Sequence, residues 1–175
     1  MDDIVKAALK KWPNVPHCYG WLALDARGHW SMRDDRIRAA GPFPQVKGSR
    51  IVHDKLLAFI GRNYAADERG CWFFQNGPQR VYVELEAAPW VWRLQDEGGR
   101  CRVHSHTGCA AAVRAVWLDE VGRVFLDTDL GFGLVHTLDT GIAAEAIERG
   151  EWPAPAEMAF GQMPAHFGYR LTPAP

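Results

Sequence analysis

GCWFFQNGPQRVYVELEAAPWVWRLQDEGGRCRVHSH, residues 70–106, is the stretch that decides the fold class. Residues 71–75 and 80–86 are dense in aromatic and β-branched side chains, and Asn76-Gly77-Pro78-Gln79 between them is built of turn formers. In the second run Val81, Val83 and Leu85 fall on one face of a strand, with Tyr82, Glu84 and Glu86 on the other. Pro89 interrupts it. Trp90, Trp92 and Leu94 then alternate with Val91 and Arg93. Asp96-Glu97-Gly98-Gly99 turns the chain into another strand-like run at 100–107. From Tyr64 to His106 the period is two throughout, the signature of half-buried strands.

Toward the N-terminus, Ile4, Val5, Ala8, Leu9 and Trp12 recur at helical spacing, predicting a helix over 2–12, with Asp2 or Asp3 as its cap and Pro13 as its stop. Residues 18–24 read as a strand, Asp25-Ala26-Arg27-Gly28 as a turn, and 29–33 as the returning strand. Residues 39–50 carry two Pro and two Gly and read as a loop. Ser49 is placed to cap a helix over 50–62. Toward the C-terminus, 113–118 and 123–127 flank a turn at 119–122, and 131–137 forms a further strand. A short Ala-rich helix begins at Thr140 and ends at Gly150. The tail 151–175 has five Pro, and its Met158, Phe160, Phe167 and Tyr169 predict that it packs.

Strand, Asp-x-x-Gly, strand occurs three times, at Asp25–Gly28, Asp67–Gly70 and Asp119–Gly122. Asp hydrogen-bonds the backbone of its own turn, and Gly supplies a positive φ. The first and third are each followed by a loop and a helix, so the expectation is two copies of a hairpin–helix unit. The fold class expected is α+β: mostly antiparallel, short, curved sheets with about three helices, in two related hairpin–helix lobes. The N-terminal lobe is 1–95 (helix, hairpin, helix, hairpin), and the C-terminal lobe is 96–175 (hairpins, short helix, Pro-rich tail).

Composition excludes several function classes. The 175 residues carry 20 Lys+Arg against 21 Asp+Glu, so no basic excess is available to neutralise phosphates. At 47% apolar the chain is too hydrophobic for disorder. No apolar run approaches the roughly 20 residues that span a bilayer, and Met1-Asp2-Asp3 is not a secretory n-region. The expectation is a cytoplasmic protein with no nucleic-acid or membrane partner. Its four cysteines are then reduced thiols. Eight Trp in a chain of this length chiefly fill the core.

The order from Gly20 through Trp92, with its Asp-x-x-Gly hairpin, helix, second hairpin and the run from Glu84 through Ala87-Ala88-Pro89-Trp90 to Val91, resembles small bacterial families catalogued only as domains of unknown function. That resemblance implies an α+β fold with repeated hairpin–helix motifs and a signalling or regulatory role. It brings no catalytic residue with it.

Candidate chemistry centres on Cys101-x-x-His104-x-His106-x-x-Cys109. Two thiols and two imidazoles are the donors of a tetrahedral zinc site. Four donors within nine residues, however, leave no second element to close around an ion, and a strand over 100–107 sends Cys101 to the face opposite His104 and His106. On that shared face Arg102, His104 and His106 could hold a carboxylate or phosphate, and they are the ligand-binding candidates. Ser31, Ser49 and Ser105 are the only serines, and none lies in a nucleophile elbow. Cys18 follows His17, but neighbours on a strand point apart. No phosphate loop is present. The motifs therefore call for no metal, no cofactor and no catalytic residue. The function expected is a non-catalytic module that binds an unidentified small molecule or protein partner in an aromatic-lined cleft. The alternatives are a metal-dependent or thiol enzyme centred on 101–109, and a homo-oligomer.

Overall fold

A computed structural model describes every residue, Met1–Pro175. The chain forms two compact units: Met1–Asp25, His29–Glu86 and Gly168–Pro175 make the first, and Ala26–Gly28 with Ala87–Phe167 make the second.

The first unit opens with α1 (Asp3–Lys11), whose Val5 is buried. Asp2 precedes the helix but accepts from Arg62 and Asn63 instead of capping it. The strands β1 (Cys18–Leu24) and β2 (Trp30–Met32) form an antiparallel hairpin, followed by α2 (Asp35–Ala40) and β3 (Ser49–Arg50). Then come α3 (Asp54–Arg62), β4 (Tyr64–Ala66), β5 (Trp72–Asn76) and β6 (Gln79–Leu85). The sheet order is β3-β2-β1-β6-β5-β4. Its one parallel pair joins β1 to β6, with Leu22 beside Val83 and Leu24 beside Leu85.

In the second unit β7 (Trp90–Glu97) pairs with β8 (Arg100–Ser105), which pairs with β9 (Ala110–Ala111). The strands β10 (Val113–Leu118), β11 (Val124–Thr128) and β12 (Gly131–Val135) form a meander. After α4 (Thr140–Glu148) a short β13 (Ala156–Glu157) adds to β10, and α5 (Met163–His166) follows. The sheet order is β13-β10-β11-β12-β7-β8-β9, with β12 parallel to β7.

The expectation of an α+β fold of short sheets with about three helices is corrected: the protein is mostly β, with five α-helices and two mixed sheets of six and seven strands, most of whose strand pairs are antiparallel as expected. The expected hairpin–helix repeat is not confirmed. Numbered within their own units, both sheets run third-second-first-sixth-fifth-fourth over six strands, the second adding its seventh, β13, beyond the fourth, and the helices do not follow that order. The helix α3 joins β3 to β4, Ala112 alone joins β9 to β10, and α4 comes after β12. The extra helices escaped periodicity because they are short: α2 has six residues and buries none of them, and α5 has four. The parallel pairs escaped because each joins strands dozens of residues apart, where local pattern carries no register.

The turn chemistry read from the three Asp-x-x-Gly segments is present in each. The Oδ1 atoms of Asp25, Asp67 and Asp119 accept from the backbone N–H of His29, Cys71 and Arg123 at 2.9, 2.9 and 2.8 Å. The glycines Gly28, Gly70 and Gly122 take φ of 78°, 76° and 79°. Aspartate supplies the acceptor and glycine the left-handed backbone, so neither is replaceable by Ala without loss.

The tail packs as its aromatic spacing predicts. In the first unit Leu85 N–H donates to Leu171 O at 2.8 Å, and Arg170 N–H to Gly70 O at 3.0 Å. In the second, Phe167 stacks on Phe132 with ring centroids 3.7 Å apart. The Trp-rich core is also real: Trp30, Trp90, Trp92 and Trp152 are buried, and Trp92 is fully so. Trp90 Nε1 donates to Leu130 O at 3.0 Å, giving the indole the partner it needs once dry.

Candidate functional site

Two of the eight indoles are exposed, Trp12 and Trp21. Trp21 borders a pocket of about 300 Å³ in the first unit. The strand β1 contributes Cys18, Trp21 and Leu22, and β2 contributes Met32. Ile51 and the α3 residues Leu56 and Ile60 form another wall. Phe74, Val81 and the amides Asn76 and Gln79, from β5 and β6, complete it. No lining residue is charged. The size and apolar character match sites for small organic ligands.

Local sequence explains each wall. Leu56 and Ile60 lie four apart on α3 and share a face. The ring of Phe59 meets Phe74 edge-on at 5.4 Å, seating the helix on β5. His53 caps α3, its side chain accepting from Leu56 N–H at 3.3 Å. On β1 the register against β6 shifts between Cys18 and Leu22, and Gly20 sits in the shift with φ 74°. Such a bulge turns side chains off the strict alternation. Trp21 therefore reaches the same pocket as Leu22.

Gly20 is needed there for a second reason. A Cβ on it would lie 2.9 Å from Arg38 Nε. The guanidinium of α2 thus occupies the space a side chain at 20 would fill. Arg38 is paired with Asp35 at 3.3 Å, an exposed i,i+3 contact. Burial pushes the Cys18 thiol up, and the Arg38 charge partly draws it back. Cys18 is accordingly a neutral thiol, and His17 does not activate it: the His17 ring lies against Tyr82, 5.6 Å away, in a separate polar depression with Arg69 and Arg80.

The loop at 41–48 is pinned to the first unit's sheet by cations. Arg33, with its side chain only 3% exposed, pairs with Glu84 and donates to Gly41 O and Val46 O. Lys47 bridges Glu86 at 2.8 Å and the buried Asp25 at 3.4 Å.

The sequence-derived ligand candidates divide. Arg102 and His104 line an open depression of about 340 Å³ together with Glu97, Cys101 and Ala110. There Arg102 is held by Glu97 at 3.1 Å. His106 does not line it. Its ring lies 5.7 Å from that of Trp90, and its Nδ1 accepts from Val91 N–H at 3.3 Å. Cys101, whose thiol burial and then Glu151 push up to about 11, shares that depression with His104, whereas the exposed Cys109 does not line it. No three His, Cys, Asp or Glu side chains are grouped so as to hold a metal ion.

Burial holds the His106 imidazole down at about 3, against an ordinary 6.5. The sign of the pH effect follows. Below pH 6.5 the unfolded chain binds a proton that the folded chain refuses until about pH 3. The His106 contribution is complete above 6.5 and falls as pH drops toward 3, at up to roughly 1.4 kcal/mol per unit. The variant His106→Asn keeps an acceptor for Val91 N–H and flattens this slope, which urea midpoints at neutral pH and about pH 4.5 will show.

Sequence reasoning did not find the pocket. Its traces were the Gly20-Trp21 pair inside an otherwise regular strand and the apolar face of α3. Neither shows that 21, 32, 56, 74 and 81 meet. No helix is long and apolar enough to cross a membrane.

The family described as Protein of unknown function (DUF2946) matches residues 1–174, and the chain belongs to that family. No curated protein matches the chain. A solved structure, a DUF1285 family protein from Shewanella baltica OS155, is similar at 14% identity with a TM-score of 0.48, covering 71% of this chain and 91% of its own.

Proposed function

We propose that this member of the family is a non-catalytic binding module that takes a small apolar ligand in the pocket beside Trp21. The observation that carries the reading is the pocket itself: about 300 Å³, uncharged, and bordered by Trp21 and Met32, large apolar side chains left 37% and 49% exposed. Exposed apolar surface gathered at a concave site marks binding more than chance, because leaving it wet forgoes roughly 25 cal/mol for each Å². Binding without turnover accords with a regulatory role.

The first test uses 1-octanol as a neutral apolar probe on the whole chain. It should change tryptophan emission saturably, and the change should vanish in Trp21→Phe. In Leu56→Phe, which fills the pocket from α3, affinity should fall at least about tenfold while the melting temperature stays within a few degrees. No saturable change in the parent chain, or an undiminished one in Leu56→Phe, refutes the reading.

A further inference from the structure

We infer that the pocket beside Trp21 is built for an apolar monocarboxylate, whose acid group is received by Arg38. The inference rests on the pocket being a ligand site and adds the class of ligand.

The pocket lining carries no charge, so it selects an apolar body but not a headgroup. Arg38, although it does not line the pocket, lies beside the stretch of β1 that does and supplies the missing charge. Its guanidinium lies against Gly20, the residue before Trp21, and its charge acts on the thiol of the lining residue Cys18. The bulge at Gly20 and the missing side chain there together make that position available. A side chain at 20 would displace Arg38, its Cβ meeting Nε at 2.9 Å and Cζ at 3.3 Å.

Arg38 is also free to change partner. Its ion pair with Asp35 is on the surface, with side chains 42% and 84% exposed. Such pairs contribute little, so a carboxylate emerging from the pocket can take Asp35's place. One planar guanidinium matches one carboxylate in charge and in its two parallel hydrogen bonds. Cys18, the polar group nearest that end of β1, is a neutral thiol and does not repel an anion. At β6, Gln79 Nε2 already donates to Pro16 O at 3.0 Å, so the amide end of the pocket has less to offer a charged group.

The test compares octanoate with 1-octanol, the same chain with and without a charge, by calorimetry near neutral pH on the full chain. Octanoate should bind at least about tenfold tighter than octanol. Arg38→Met should bring octanoate to octanol's affinity and leave octanol unchanged, and Arg38→Lys should recover part of the difference. Equal affinities in the parent chain, or a preference for octanoate that survives in Arg38→Met, overturn the carboxylate assignment and leave the apolar pocket standing. Binding of neither probe overturns both.

Discussion

Arg33→Met will cost about 3–5 kcal/mol and free the loop at 41–48. Arg33 is charged, its side chain is 3% exposed, and it is paired with Glu84, which is 14% exposed. Removing one member of such a pair strands the other in a medium that solvates it poorly, which is why breaking a buried pair costs more than the pair contributes. Here the same guanidinium also holds two carbonyls, Gly41 O at 2.7 Å and Val46 O at 3.1 Å. The loss therefore has two readouts. Urea unfolding reports the stability, and trypsin reports the loop, because Lys47 becomes a cleavage site once its backbone is unpinned. The double variant Arg33→Met/Glu84→Leu separates them. It removes the stranded carboxylate and should regain much of the stability, while the loop stays susceptible because its carbonyls have lost their donor. A double variant no more stable than the single one would show that the carboxylate is not the source of the cost.

The second large effect lies in the other unit, where Gly133→Ala will disrupt the parallel seam between β12 and β7. Gly133 pairs with Trp90 across that seam. An added Cβ would sit 2.4 Å from Trp92 Nε1, 2.6 Å from Trp90 O and 2.7 Å from Trp90 Cβ. One of those atoms is backbone and the others belong to the side chains of Trp92 and Trp90, residues 0% and 8% exposed, so none can yield cheaply. Overpacking of this kind costs about 3 kcal/mol or more. For a chain of this length each kcal/mol lowers the melting temperature by about 2–4 °C, so the expected fall is roughly 6–12 °C. A glycine with open space around it, Gly141, is the control: a Cβ there meets nothing within 4 Å, and Gly141→Ala on α4 should be neutral or stabilising.

These two positions also show how much the residues told in advance. Strand content was legible because alternation is local: Val81, Val83 and Leu85 declare a face without reference to anything else. The Asp-x-x-Gly turns were legible for the same reason, since donor, acceptor and left-handed glycine lie within five residues. What was not legible is every pairing between distant segments. Arg33 and Glu84 are 51 residues apart, and nothing in either neighbourhood predicts the meeting. The steric role of Gly133 depends on the indole of Trp92 lying against it, which only the parallel register creates. His106 illustrates a milder failure. Strand alternation placed it with Arg102 and His104, but β8 ends at Ser105, so the alternation no longer governs residue 106. The pocket suffers from both limits. Its walls come from β1, β2, α3, β5 and β6, and the bulge at Gly20 that turns Trp21 into it breaks the very rule by which strands are read.

The central claim, that a small apolar ligand enters between α3 and the first unit's sheet, is tested most directly by methyl NMR. The chain has four methionines, so methyl-labelled protein gives four resolvable probes. Met32 lines the pocket and is 49% exposed, whereas Met163 belongs to the second unit and is fully buried. On titration with 1-octanol the Met32 methyl should move saturably while the Met163 methyl stays in place. A stationary Met32, or equal and unsaturating shifts of all four, would contradict the account.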